Sequence, residues 1–309
     1  MAVFNPPQAL PGVAFALARF VQREGGSSPR ARVEAALDPF RGGDVSGNVK
    51  DTVVVLKALE LFDETDEVLG ITDRFAQYLD EPLTRAAFVK ALRREVHAVD
   101  RDGDPWDDTS AVGGRDAGRA LSWFLSQPAL APPMAFDGPP ERSADLRQRA
   151  DLGGAADALL AFENDVRFGS FRRWAVRLGL ATPVRARSHS GQIATYVEPV
   201  PTAGIEAELS LLSPNHMPIG ELLGELRRAM PFLPGGATAE RLVARAGAPL
   251  DPAVQRGRLH TSLGEALLTL EARGLVTFES LGDADGVILE HGPDGRKVSH
   301  VTFNAEVTK

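Results

Sequence analysis

The chain contains no cysteine in its 309 residues, which removes disulfides, thiolate zinc sites and a cysteine nucleophile from consideration. Aromatic residues make up only 6%, too few to wall a large aromatic pocket. No apolar run approaches the roughly 20 residues a bilayer-crossing helix needs, and the N-terminus (MAVFNPPQAL) has no basic region followed by a long apolar run. A cytoplasmic protein without a membrane partner is the expectation. Basic residues are also in deficit: 34 Lys and Arg against 42 Asp and Glu give a net charge of −8. Any contact with nucleic acid must then come from a local patch. The remaining composition, 43% hydrophobic and 25% charged, is that of a globular chain long enough for two or three domains.

Catalytic signatures are missing as well. The six histidines (His97, His189, His216, His260, His291, His300) lack metal-ligand spacing such as HExxH, and none sits in a carboxylate–histidine–serine context. The glycine-rich pieces RFGS, LPGGAT and AVGGRD form neither GxxxxGK[ST] nor GxGxxG. The acidic stretch DRDGDPWDD gathers Asp100, Asp102, Asp104, Asp107 and Asp108, but a calcium loop counted from Asp100 would meet Pro105 and Ala111 where Gly and Glu are needed. A metal-dependent nuclease centred there stays open as a third hypothesis; a solvated loop is the simpler reading. No cofactor and no metal are expected.

What is present is a strong pattern over Gly257–Phe303. Leu259, Leu263, Ala266, Leu267 and Leu270 recur at helical spacing, and Gly274 stops the helix. The period then switches to two, with Leu275, Thr277 and Glu279 alternating against Val276, Phe278 and Ser280. DADG at 283–286 and PDG at 293–295 supply turns around a strand at Val287–Glu290 and another at Lys297–Asn304. Two shorter helices precede, Ile219–Met230 after Pro218 and Ala239–Ala246 after a capping Thr238. Three helices and a hairpin are the parts of a winged helix.

The N-terminal end repeats that order without repeating the letters. Helices are expected over Gly12–Arg23, from Pro29 to Leu37 and over Asn48–Phe62, with an acidic turn at Asp63–Asp66 and a strand at Val68–Ile71. Between the ends, helices are expected over Thr84–Val99 (Phe88, Leu92, Val96 inward; Lys90, Arg93, Arg94 outward), Gly114–Ser126, Ala144–Leu160 and Phe171–Leu178, the last capped by Ser170. A hairpin turning at HSGQ follows. The proline-rich stretch Pro128–Pro140 reads as a boundary. The fold class is therefore mainly α with short β-hairpins, as tandem winged-helix modules flanking a helical middle. The expected domains are 1–80 (winged-helix-like), 81–140 (helical linker), 141–204 (arginine-rich helix and hairpin, a possible third winged unit) and 205–309 (C-terminal winged helix).

Charge gives the best functional pointer. From Val166 to Val197 stand Arg167, Arg172, Arg173, Arg177, Arg185 and Arg187, with no Asp or Glu, so the rest of the chain carries −14. Arg173 and Arg177 share a helix face, and Arg185 and Arg187 share one side of a strand. The guanidinium fork suits phosphate, and Phe168, Phe171 and His189 lie near enough in sequence to contact sugar or base, whereas Trp174 reads as core. The competing reading pairs these arginines with Asp165 or the acidic loop. Arg256, Arg258, His260 and Thr261 stand at the start of the recognition-like helix, and Arg296 and Lys297 near the second turn, where a DNA reader would place them. Asp283 and Asp285 at the wing tip have the wrong sign for a groove.

In element order, and in pieces such as ALELFDETDEVLGIT, FGSFRRWAVRLGLA and LGEALLTLEARGLV, the chain resembles the DpdG-like tandem winged-helix accessory proteins of bacterial DNA-modification and phage-defence islands. The resemblance implies a non-catalytic subunit beside ATPases and nucleases, and carries over no catalytic residue. Two functions of different class stay open on these residues: an adaptor binding double-stranded DNA, and a protein-docking subunit like the tandem winged-helix partners of chromosome-condensing ATPases.

Overall fold

The computed structural model describes residues 6, 8–38, 47–79, 82–98, 115–152, 160–187, 191–212, 216–289 and 295–304. The chain divides into two compact units, Met1–Gly118 with Phe162–Arg177, and Arg119–Ala161 with Leu178–Lys309. The acidic loop Asp100–Asp108, His189 and His291 fall outside the described residues.

In the first unit, α1 (Pro11–Arg23) begins on a proline, whose fixed φ and missing N–H suit a first helical position. It buries Ala14, Leu17, Ala18 and Val21. Gly25 and Gly26, with φ of 87° and 93°, turn the chain out of it. β1 (Ser27–Pro29) follows, then α2 (Arg30–Leu37). Pro29, expected inside the helix, is instead the last residue of that strand, opposite Val68. Next come α3 (Gly47–Ala58), β2 (Phe62–Thr65) and β3 (Val68–Ile71). The third helix, expected to run to Phe62, stops at Ala58, and Glu60 takes a left-handed φ of 56°. The acidic run expected as a turn is mostly β2 itself. Only Phe62 of that strand is buried, so charge masks its alternation. Asp66 and Glu67, at φ 51° and 62°, make the two-residue left-handed turn that matches strand twist in a hairpin. The three strands form an antiparallel sheet in the order β1-β3-β2.

α4 (Asp73–Ala76) and α5 (Arg85–Ala98) close over this sheet. Phe15, Phe88, Phe75 and Phe62 meet edge-on or tilted, at centroid distances of 5.7, 6.0 and 6.3 Å along that chain of rings. Arg93, expected outward, is buried, as is Glu95, whose carboxylate takes Arg74 Nε at 2.7 Å. The helical spacing that brings Phe88 and Leu92 inward also carries their neighbours part of the way. α6 (Arg115–Leu125), from Arg119 on, and α7 (Ala144–Leu152) belong to the second unit, and α8 (Asp165–Leu178) returns to the first. α8 starts well ahead of the expected Ser170 cap: the Asn164 side-chain oxygen accepts from Arg167 N at 2.9 Å, and Ser170 is buried within the helix. Phe162, Phe168 and Phe171 pack together at 4.8 to 6.0 Å, with Trp174 fully buried.

The second unit holds the hairpin β4 (Thr182–Arg187) and β5 (Ile193–Glu198). The proline-rich stretch, read as a boundary, lies inside this unit: Met134 exchanges backbone hydrogen bonds with Val197 at 2.8 and 3.0 Å. Gly179 (φ 74°) links α8 to the hairpin. A Cβ there would sit 2.8 Å from the backbone nitrogen of Gly204, so only glycine permits this approach. The chain continues through α9 (Thr202–Leu209), β6 (His216–Pro218), α10 (Ile219–Ala229), α11 (Ala237–Ala246), α12 (Pro252–Gln255) and α13 (Thr261–Ala272). β7 (Val276–Glu279), β8 (Val287–Leu289), β9 (Arg296–Val298) and β10 (His300–Phe303) complete it. Thr238 is not a cap. Gly236 holds that place, and Thr238 sits buried in the first turn with its N–H on Pro231 O. The final strand expected as one piece breaks at Ser299, whose backbone N–H donates to Glu279 O and whose carbonyl accepts from Ile219 N.

The two units share a topology. Helix, strand, helix, helix, strand, strand runs as α1-β1-α2-α3-β2-β3 in one and as α9-β6-α10-α13-β7-β10 in the other, with α11, α12 and the β8–β9 pair inserted. Strand order agrees too, β1-β3-β2 against β6-β10-β7. Each first strand has three residues, buries only its middle one and ends in a proline that opens the next helix. The molecule is thus mainly helical with small antiparallel sheets. No helix among the described residues is long and apolar enough to cross a membrane.

Candidate nucleic-acid interface

The start of α13 is the largest departure from the sequence-based expectation. His260 and Thr261, expected to face DNA, are 6% and 3% exposed. They belong to a buried polar network centred on Asp251, which is itself 1% exposed. One Asp251 carboxylate oxygen accepts from Thr261 N and Thr261 Oγ1, both at 2.7 Å; the other accepts from Ala253 N at 2.8 Å, capping α12. Thr261 Oγ1 in turn accepts from Ala129 N at 2.8 Å, and Ser262 Oγ donates to Leu125 O at 2.9 Å. Buried donors and acceptors need such partners, so these side chains hold α13 in the unit's interior. Along α13, Leu263, Gly264, Ala266, Leu267 and Leu270 are buried as well. A helix covered in this way offers no reading face at its N-terminus.

His260 fixes a tautomer. Its Nε2 lies 3.0 Å from Ser126 O, a carbonyl that can only accept, and Nδ1 accepts from Ser262 N at 3.2 Å. Burial pushes its pKa below the ordinary 6.5, partly opposed by Asp251 and by the Ser126 bond, with Arg227 adding to the depression. The unfolded chain therefore takes up the proton first as pH falls. The stability contributed by a neutral His260 is full above about pH 6.5 and drains away below it. We expect the thermal midpoint to drop between about pH 7.5 and pH 5.5, and to drop less in His260→Gln. Identical pH profiles for the two proteins would dismiss His260 as the cause.

Two more predicted contacts are engaged internally. Arg296 grips Glu271 with both terminal nitrogens and also donates to Phe278 O at 3.2 Å, tying β9 to α13 and β7. Arg167 pairs with Glu163 at 2.7 Å, one helical turn away. Phe168 and Phe171 are core rather than contacts for sugar or base, and Trp174 is core as expected. Lys297 and Arg256 are exposed, and Arg258 is partly so.

The predicted arginine strip is divided. Arg172, Arg173 and Arg177, all half-buried, lie on α8 in the first unit, whereas Arg185 and Arg187 stand exposed on β4 in the second. Burial, and then Arg172, lowers the pKa of Arg173; burial, and then Arg85, lowers that of Arg177. Each of these two guanidinium groups thus has another within electrostatic reach.

Following Arg177 outward reveals residues the sequence did not single out. Arg85, at the first position of α5, lies with its guanidinium carbon 5.5 Å from the centroid of the Phe15 ring on α1. Arg19 and Arg23 follow Phe15 at successive four-residue steps, on the same helix face and exposed. With Gln22, Pro82 and Leu83 they line a cleft of about 480 Å³. Gln22 helps form it by accepting from Leu83 N at 3.2 Å. Arg177, Arg85, Arg19 and Arg23 thus trace one basic track, and none of the four meets a carboxylate among the described residues. By contrast, Arg30, Arg74, Arg167, Arg273 and Arg296 each do. One local signal was available: an arginine at a helix N-terminus, as at Arg85, opposes the helix dipole and needs another reason to be there.

Among the described residues no group of three or more His, Asp or Glu is placed to hold a metal ion. In comparison with known proteins, a family model described as DpdG-like matches residues 1–284. No curated protein and no solved structure matches.

Proposed function

The chain belongs to the DpdG-like family, and from that membership together with the basic track we propose that it is a non-catalytic component of a DNA-modification system that binds duplex DNA. In this reading each shared three-helix, three-strand module is a winged helix. The first unit grips phosphates through Arg177, Arg85, Arg19 and Arg23; the β4–β5 hairpin of the second carries Arg185 and Arg187 as a separate contact. Other subunits of the system, an ATPase or a nuclease, would supply the chemistry.

One observation carries the reading. In a chain of net charge −8, four arginines from three helices of one unit converge without a carboxylate among the described residues. Acidic surfaces readily neutralise stray guanidinium groups, so a track left open suits an external polyanion. Fluorescence anisotropy with a labelled duplex across a salt series tests it. Binding should weaken steeply with salt, and a protein that leaves the duplex unbound at low salt would end the proposal.

A second reading has its own support. The first turn of α13 is covered, and the β2–β3 hairpin presents Asp63, Asp66 and Glu67 to solvent, a sign that suits a basic protein surface better than DNA. Here the chain docks ATPase subunits. Retention of a neighbouring subunit by the protein, with no shift of duplex DNA, would favour docking.

A further inference from the structure

The hairpin β4–β5 carries a feature the arginines alone do not explain. Ile193 is 73% exposed, more than any other large apolar side chain described. It is directly opposite Arg187 in the ladder, and Thr195 is opposite Arg185. Cross-strand partners share a face, so Arg185, Arg187, Thr195 and Ile193 stand together on one side of a two-stranded ribbon. Toward Ile193 that face is open: Arg185 and Arg187 are exposed and Thr195 partly so, whereas Val197, on the same face opposite Pro183, is buried. The nearest acidic residue on either strand is Glu198, at the opposite end of the ladder and paired with Thr182. A single exposed apolar residue is ordinary on a protein surface; one beside two outward arginines at the end of a ribbon where its strands are joined is not.

We propose that this face binds the minor groove of duplex DNA and that Ile193 is a wedge, entering between neighbouring base pairs and bending the helix. The inference rests on the duplex-binding reading and adds to it the site and manner of contact. Arg185 and Arg187, two residues apart on a strand, are separated by about 7 Å, comparable with successive phosphates on one DNA strand. They anchor the ribbon, which leaves Ile193, at the end where β4 and β5 are joined, to reach past the backbone. A branched apolar side chain gains from leaving water for the base stack, and minor-groove proteins use such wedges to unstack and kink the duplex. Charge complementarity selects the occupant: an apolar tip ringed by arginine suits a polyanion with an apolar interior.

The test is a short duplex with donor and acceptor dyes at opposite ends, titrated with the full chain. Energy transfer should rise on binding of wild type and of Ile193→Leu, which keeps the apolar tip. Ile193→Ser, a change at an exposed position, should bind within about tenfold of wild type yet leave energy transfer at the value of the free duplex. Flat energy transfer at saturating wild type, or bending by Ile193→Ser equal to wild type, overturns the wedge and leaves duplex binding standing. Failure of wild type to bind at low salt would instead remove duplex binding, and the wedge with it.

Discussion

Replacing Arg19, Arg23, Arg85 and Arg177 together with alanine should lower affinity for duplex DNA by about a hundredfold or more at moderate salt. The plot of log affinity against log salt should also become shallower by about 3 to 4, because each phosphate contact contributes a slope near −0.9. The second figure is the sharper test. A general loss of fold would lower the fraction of active protein without altering the slope of the remainder. The same four positions changed to lysine should keep most of the slope and lose part of the affinity, since lysine preserves charge but not the planar fork. Arg85 is the position most exposed to a structural objection, because it also stacks on Phe15. Arg19→Ala with Arg23→Ala, both at exposed sites, should by itself remove close to half of the effect. An unchanged slope in the fourfold variant would mean that the track does not touch phosphate.

Asp251→Ala should destabilise the second unit by about 3 to 5 kcal/mol. Three donors, Thr261 N, Thr261 Oγ1 and Ala253 N, converge on this carboxylate, and the substitution leaves them buried without an acceptor. Asp251→Asn retains the shape but weakens the acceptor and turns an amide donor toward one of those partners, so an intermediate loss is expected. Denaturant titration followed by near-ultraviolet circular dichroism measures both. A loss below about 1 kcal/mol for the alanine variant would show that solvent replaces the carboxylate readily, contrary to its burial. DNA affinity offers a control, since the basic track lies in the first unit and should keep its salt slope in folded Asp251→Asn protein.

Much of the backbone was legible in the sequence because periodicity is local. The Leu263–Leu270 stripe and the switch to alternation after Gly274 foretell α13 and β7, and the outward placement of Arg185 and Arg187 follows from a strand's two-residue period. The site was less legible, for two physical reasons. At α13 the polar residues preceding an apolar stripe look solvent-facing, yet Asp251, ten residues upstream of Thr261, and the backbone around Ser126 and Ala129 give them interior partners. Only the fold brings those acceptors and donors together. In the first unit, Arg19, Arg85 and Arg177 stand far apart along the chain, so no window of sequence holds the track. Conversely, the dense arginine run looked like one surface but is shared between two units, with Arg167 occupied by Glu163.

The prolines that close β1 and β6 bear on how this protein can meet others. Each sits in the outermost strand of its sheet, on a strand only three residues long. A residue without an N–H cannot continue a ladder, so neither border offers the row of donors and acceptors that an incoming extended segment would copy. Neighbouring molecules are thereby kept from zipping on through main-chain pairing at these borders. At these two borders recognition is left to side chains, where a change of one charge can redirect it.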